Sequence, residues 1–347
     1  MNEEMFYSRI NTFFNLEDKK LSKLKEKTIV VLGCGGIGSY TAEFLAKYGF
    51  NLKLVDYDLV DESNLSRQNY NYDDLNKPKV DMLKKKLKKS NPNVNIETFN
   101  KKFNSNNFKT ILENSDLILD CLDNMESKMV LNDACLKLKI PYIHMAAISR
   151  KGNLLFIEPD DDYCLSCLYK KPNFEADKCK TIGVLSHIPT IIGLLSIDLI
   201  INYFLYHKVD KKLIRIDFKD FNVNKLKLSK RKNCQSCLGK YPYLKEFNDE
   251  NKDFKYLKTR IEKLCGKDSF QFNLYDSCYQ SFFSFLEKEN VLMNNKHFIK
   301  SKVNNKYFDS SNVNKVQVTL FNDGRVLING LKDEESVKII IKNICGD

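Results

Sequence analysis

The run TIVVLGCGGIG, Thr28 to Gly38, constrains this chain more than any other stretch. Apolar, β-branched residues from Thr28 to Leu32 suit a strand buried on both faces in a parallel sheet, and the glycines turn it into a helix from about Ser39 to Tyr48. Gly33, Gly35 and Gly38 stand as G-x-G-x-x-G, with Gly36 between, in the strand–turn–helix setting where this pattern cradles nucleotide phosphates. Backbone N–H groups at the helix start are the phosphate's partners. A second strand, NLKLVDYD, ends at Asp56 and Asp58. Asp56 lies 18 residues beyond Gly38, where a carboxylate can bond a ribose hydroxyl. Taken alone, the glycine motif favours an NAD-dependent dehydrogenase.

Further elements alternate. A helix near Lys79 to Lys89 stops at Asn91-Pro92, a weaker strand spans Val94 to Phe99, and DLILDCLD reads as a strand. A helix from Ser127 to Leu138 and the strand PYIHMAAI follow. Such alternation predicts an α/β fold, a Rossmann-like doubly wound, mainly parallel sheet. Residues 1–27 read as a short helical arm and 28–240 as the nucleotide domain, the latter including an apolar helix from Pro189 to Tyr206 and the strands LIRIDF and NKLKLS. Residues 241–347 read as a small α+β domain: a helix from Ser277 to Lys288, a hairpin turning at Asn322-Asp323-Gly324, and a last helix with an acidic first turn.

The 347 residues carry a net charge of +11. Lysine and asparagine are spread throughout and no basic-aromatic nucleic-acid motif is present, so no nucleic-acid partner is expected. The best membrane candidate, Ile182 to Tyr206, is interrupted by His187, Pro189 and Asp198, so no membrane span is expected. The acidic N-terminus does not resemble a signal peptide, and the expected location is cytoplasmic. Eleven cysteines in such a chain then point away from a disulfide framework and toward metal ligation or thiol chemistry.

DLVDESNLSRQ carries Asn64, Arg67 and Gln68, and Lys79 follows in NKPKV; Asp123 and Asn124 end the strand in DCLDN. Two cations and two amides converging on an acidic strand end suit a triphosphate with Mg²⁺ better than hydride transfer, since Mg²⁺ is bound mainly through phosphates and few carboxylates. Cys164-Leu-Ser-Cys167 and Cys234-Gln-Ser-Cys237 form two C-x-x-C pairs with 66 residues between the inner cysteines. Four thiolates make a closed tetrahedral site, structural rather than catalytic, for Zn²⁺. A redox dithiol and a chance occurrence are the competing readings.

With GCGGIGS, LVDYDLVDESNLSRQ, NKPKV, LDCLDN and the two cysteine pairs in this order over roughly residues 5–240, the chain resembles the ThiF/MoeB/HesA family, bacterial relatives of ubiquitin-activating enzymes. The resemblance implies an adenylyltransferase, usually homodimeric, that uses ATP and Mg²⁺ to activate the C-terminal glycine of a ubiquitin-like sulfur carrier ending in Gly-Gly. It implies Asp56 at the ribose, Asn64, Arg67, Gln68 and Lys79 at the phosphates, Asp123 at Mg²⁺, and Arg9 reaching the ATP of the other protomer. Cys179 matches a position that some members acylate, and flanking Lys178 and Lys180 favour its thiolate; His187 is a candidate base for it. Relatives that adenylate a peptide C-terminus in antibiotic modification are the alternative. A non-catalytic scaffold is disfavoured, because the ATP-site residues are present, and so is a dehydrogenase, which leaves Arg67, Lys79 and the paired cysteines unexplained. Cys34, Cys121 and Cys135 read as core residues, His144 as a satisfied buried histidine, and nothing pairs Cys265, Cys278 and Cys345.

Overall fold

A computed structural model describes residues 2–14, 18–161, 163–169, 183–244, 257, 261–264, 268–295, 297–304 and 316–346. They fall into two compact units, 1–246 and 247–347.

The first unit opens with helices α1 (Glu3–Phe13) and α2 (Asp18–Lys25). Strand β1 (Thr28–Leu32) leads into α3 (Gly38–Tyr48), followed by β2 (Asn51–Val55), α4 (Lys79–Ser90), β3 (Ile96–Phe99), α5 (Phe108–Leu112), β4 (Leu117–Asp120) and α6 (Met125–Leu138). Then come β5 (Tyr142–Ile148), β6 (Lys151–Ile157), α7 (Leu165–Leu168), α8 (His187–Tyr206), β7 (Leu213–Asp217) and β8 (Asn222–Leu226). The eight strands are ordered β3-β2-β1-β4-β5-β6-β7-β8; the first five are mutually parallel and the last three antiparallel. The sheet is therefore mainly parallel, as the alternation predicted.

Alternation along β1 builds two cores. Ile29 and Val31 face α3, α4 and α8 through Ala42, Leu45, Leu83, Leu87 and Ile192. Val30 and Leu32 face α5 and α6 through Phe108, Ile111, Met129 and Leu131. Both faces are buried, which is why the strand reads as a continuous apolar run. The carboxyl ends of β1, β2 and β4 share one edge of the sheet.

Two expectations need correction. The apolar helix expected from Pro189 to Tyr206 begins two residues earlier: α8 starts at His187, and a proline in the first turn forfeits an N–H that has no intrahelical partner anyway. By length and apolarity α8 could cross a membrane. In this fold one stripe of it, Ile188, Ile192, Ile197 and Ile200, is buried against the protein. Strand β6, KGNLLFI, was not foreseen; it returns antiparallel on β5 through a tight turn at Ser149-Arg150.

The second unit holds β9 (Glu262–Leu264), β10 (Ser269–Asn273), α9 (Asp276–Lys288), β11 (Asn290–Asn294), β12 (Phe298–Lys302), β13 (Gln317–Phe321), β14 (Arg325–Asn329) and α10 (Glu334–Cys345). The strands form an antiparallel sheet ordered β11-β12-β13-β14-β10-β9. Phe270, Phe272, Val318, Leu320 and Ile328 pack against Phe282, Leu286, Val337 and Ile341 of the two helices. Contrary to the expectation of unpaired tail cysteines, Cys278 and Cys345 are disulfide-bonded, joining α9 to the end of α10 with Cα atoms 5.6 Å apart. Sequence spacing gave no sign of this, because 67 residues separate them. Cys265 lies outside the described residues.

Candidate functional site

The glycine loop follows β1 for steric reasons specific to each position. Gly33 has φ +92°, and a Cβ there would lie 2.6 Å from the Cys121 carbonyl oxygen. At Gly38 a Cβ would lie 1.9 Å from the Gly33 carbonyl oxygen, so the turn closes only without a side chain. Gly35 differs: a Cβ there meets only the Gln68 amide at 3.7 Å. The protein itself leaves space beside Gly35. No side chain caps the start of α3, which leaves that end to an incoming anion.

Asp56 knits the loop to the end of β2. One carboxylate oxygen accepts the Cys34 N–H at 2.7 Å and the other the Asp58 N–H at 2.8 Å. Burial pushes its pKa up, only partly offset by Lys79. Lys79, the first residue of α4, is buried, and its Nζ donates to Asp58 at 2.8 Å. Burial alone would lower the Lys79 pKa; Asp58 and Asp56 outweigh it, with a smaller contribution from Asp123, and hold it above the ordinary lysine value. One ammonium thus faces three carboxylates, of which Asp58 is half-exposed and Asp123 exposed. This surplus of negative charge fits a divalent cation arriving with a triphosphate.

Asn64 and Gln68 are both buried, Asn64 within its own turn, where its side-chain oxygen accepts the Asp61 N–H at 3.4 Å. The Gln68 amide faces Gly35, and its Oε1, fully buried, has no protein partner. An orphaned buried acceptor of this kind suits a ligand's hydroxyl or amino group. Arg67 donates to the Ser63 carbonyl and is half-buried. Asn124 uses its side-chain oxygen to cap α6 through Ser127 N–H at 2.8 Å, a structural duty that the sequence reading did not give it. Arg9 is exposed on α1. Cys179, with Lys178 and Lys180, lies outside the described residues; His187 is exposed at the start of α8.

The four paired cysteines do meet. Cys164 and Cys167 at α7 and Cys234 and Cys237 in the turn beyond β8 place all four Sγ atoms within 4.8 Å of one another. Individual Sγ–Sγ separations are 3.9, 3.6, 3.6 and 3.3 Å. A tetrahedron with Zn–S bonds near 2.3 Å has edges of about 3.8 Å, so this donor set fits zinc. The Cys237 sulfur and burial push the Cys164 thiol up.

Sequence reasoning missed a charged cluster directly behind the site. Asp120 ends β4 with no exposure, between Lys128 Nζ at 2.8 Å and His144 Nδ1 at 2.6 Å. His144 is fully buried, as read, but bound to a carboxylate. Cys34 and Cys135 are buried core residues, and Cys121 is partly exposed between them and the turn.

Comparison with known proteins bears on this geometry. The model of the ThiF family matches residues 7–237. Molybdopterin-synthase adenylyltransferase of Haemophilus influenzae is 34% identical over 236 residues, 65% of this chain and 95% of that protein. The ThiS sulfur-carrier adenylyltransferase of Bacillus subtilis is 26% identical over 351 residues, 98% of this chain and 99% of that one. Among solved structures, E. coli MccB with ATP superposes with a TM-score of 0.55 at 22% identity, covering 63% of this chain and 68% of that one. This likeness is one of fold.

Proposed function

The chain belongs to the ThiF family and is an adenylyltransferase, and from that premise we propose that it adenylates the C-terminal glycine of a ubiquitin-like sulfur carrier with ATP. The observation that carries the reading is the convergence, at one sheet edge, of the uncapped helix start with Lys79, Asp56, Asp58 and Asp123. The glycine-loop N–H groups, Arg67 and Lys79 would hold the phosphates, Asp56 the ribose. Asp123 would hold Mg²⁺, which when bound supplies positive charge at the phosphates.

The chemical problem is one of charge: a carboxylate must attack the α-phosphorus of a polyanion. Arg67, Lys79 and the loop N–H groups, fixed before the substrates arrive, offset the repulsion and stabilise the charge that builds on the phosphoryl oxygens. The carrier's carboxylate oxygen forms the new P–O bond, the bond to pyrophosphate breaks, and the acyl-adenylate remains. No protein nucleophile takes part, so Cys179, if it is acylated, acts afterwards. Cys164, Cys167, Cys234 and Cys237 would hold Zn²⁺ as a staple remote from this chemistry.

A ThiS-type carrier is favoured among sulfur carriers, because the Bacillus subtilis relative matches 98% of this chain, the second unit included. Adenylation of a peptide C-terminus is supported only by the fold likeness to MccB. A homodimer is also part of the proposal. Helix α1 docks by Tyr7 on Asn91 and Gly49, at the C-terminal ends of α4 and α3, opposite the glycine loop. Arg9, exposed on α1, would then serve the partner's site. Leu195 and Tyr206 on α8 and Phe44 on α3 are exposed apolar residues that a second copy would cover.

The test is ATP–pyrophosphate exchange with Mg²⁺ and a panel of Gly-Gly-ending carriers beside short peptides. Exchange dependent on one carrier and lost in Asp123→Ala is expected; exchange with a peptide alone would overturn the carrier reading.

A further inference from the structure

The proposed chemistry uses none of the three charged groups buried behind the site. Asp120, Lys128 and His144 come from β4, α6 and β5 and are 0%, 4% and 0% exposed. Buried ion pairs seldom stabilise a fold better than well-packed apolar residues of similar size, so stability alone is a poor reason for this trio. Its connections suggest another. One Asp120 oxygen accepts both Lys128 Nζ at 2.8 Å and the Leu122 N–H at 3.2 Å, while the other meets His144 Nδ1 at 2.6 Å. Lys128 also donates to the Met145 carbonyl at 3.1 Å, tying α6 to β5. Leu122 and Asp123 are adjacent in the turn after β4, and Asn124 fixes the turn's far end by capping α6. The turn is thus clamped on both sides, with Asp123 alone projecting into solvent.

We propose that His144, bonded to the Asp120 carboxylate that Lys128 also holds, is a positioning residue that fixes the Asp123 turn and so sets how readily the site takes up Mg²⁺ with its nucleotide. This inference rests on the adenylation reading, in which Asp123 is the metal's carboxylate. Burial keeps the His144 pKa below its ordinary value, so the ring is neutral near pH 7. Its Nδ1–H then donates to Asp120, and Nε2 keeps a lone pair toward the Tyr169 hydroxyl, 3.5 Å away. The Asp120–His144 pair reaches Asp123 through the Leu122 N–H that Asp120 accepts, so it acts on the metal through the orientation of the turn. Loss of a partner bonded directly to a metal ligand typically weakens metal uptake by about 10- to 100-fold, and one bond further out the lower end of that range is expected.

The experiment is equilibrium binding of a fluorescent ATP analogue to the full chain, titrated with Mg²⁺. In His144→Ala the Mg²⁺ concentration for half-maximal binding is expected to rise about tenfold or more, with nucleotide affinity in the absence of Mg²⁺ unchanged. His144→Asn, whose amide can donate to Asp120 from the position of Nδ1, is expected to restore the wild-type midpoint, and His144→Gln is not. A wild-type midpoint in folded His144→Ala overturns the proposal. If His144→Ala does not fold, equal wild-type midpoints in the Asn and Gln variants overturn it instead. A wild-type chain that binds Mg²⁺ and nucleotide but gives no exchange with any carrier would sink the carrier reading, while the Mg²⁺ midpoints of the variants still decide the positioning role.

Discussion

Gly35 and Gly38 occupy one loop, yet the physics sets them apart. A methyl at Gly38 collides with the Gly33 carbonyl oxygen at 1.9 Å, whereas at Gly35 it meets only an amide at ordinary contact distance. Gly38→Ala is expected to destabilise the chain by about 2–4 kcal/mol, seen as a drop in Tm. Gly35→Ala is expected to keep the wild-type Tm while weakening ATP binding, because the methyl fills space left for a phosphate. Equal effects on Tm would show that the loop is shaped by the fold alone. Histidine 144 makes a second, independent prediction. Its pKa lies below the unfolded value of about 6.5, so between those two values the unfolded chain binds more protons and stability falls as pH drops. Asp120, whose pKa Lys128 and His144 hold down against the effect of burial, acts in the same direction at lower pH, losing its contribution as pH falls from about 4 through its folded value. The Tm of the wild type should therefore decline more steeply from pH 7 to pH 5 than that of His144→Asn; parallel declines would contradict this. At this scale the sequence was partly legible. Asp56, Lys79 and the glycines announce themselves by spacing. Lys128 does not, because α6 is buried on most sides and a lysine on a helix ordinarily reads as solvent-facing. Asp120 and His144 belong to different strands, and nothing local records that the two become neighbours.

At the scale of elements, the paired cysteines join α7 to the turn after β8, spanning the antiparallel end of the sheet. One zinc per chain is expected on metal analysis, lost in Cys234→Ser together with a fall in Tm of at least about 5 °C. Retention of full stability without metal would assign the cluster to thiol chemistry instead. The parallel strands were readable because burial on both faces leaves no polar residues to confuse the pattern. Strand β6 was not, since its polar start at Lys151 follows directly on the turn that ends β5. In the second unit, β13, β14 and the two helices were visible from the Asn322-Asp323-Gly324 turn and the apolar periodicity. Strand β10 and the β11–β12 pair lacked such signals; all five residues of β11 are exposed.

For the whole molecule, the account requires two chains and one carrier. If Arg9 serves the partner's site, Arg9→Ala and Lys79→Ala proteins are each inactive alone, but mixed dimers contain one intact site. Re-equilibrated equal mixtures should recover about a quarter of wild-type exchange, since half the dimers are mixed and half the sites in those are whole. No recovery would confine each site to one chain. Net charge, by contrast, said little at this scale: +11 spread over the chain marks no particular partner. The central claim, carboxylate activation on a carrier, is met most directly by intact mass analysis of Gly-Gly-ending carriers incubated with the protein, ATP and Mg²⁺ and quenched before hydrolysis. An AMP adduct on the terminal glycine of one carrier is expected, with stoichiometric pyrophosphate. Pyrophosphate release without an adduct on any carrier, or an adduct on a short peptide instead, would contradict it.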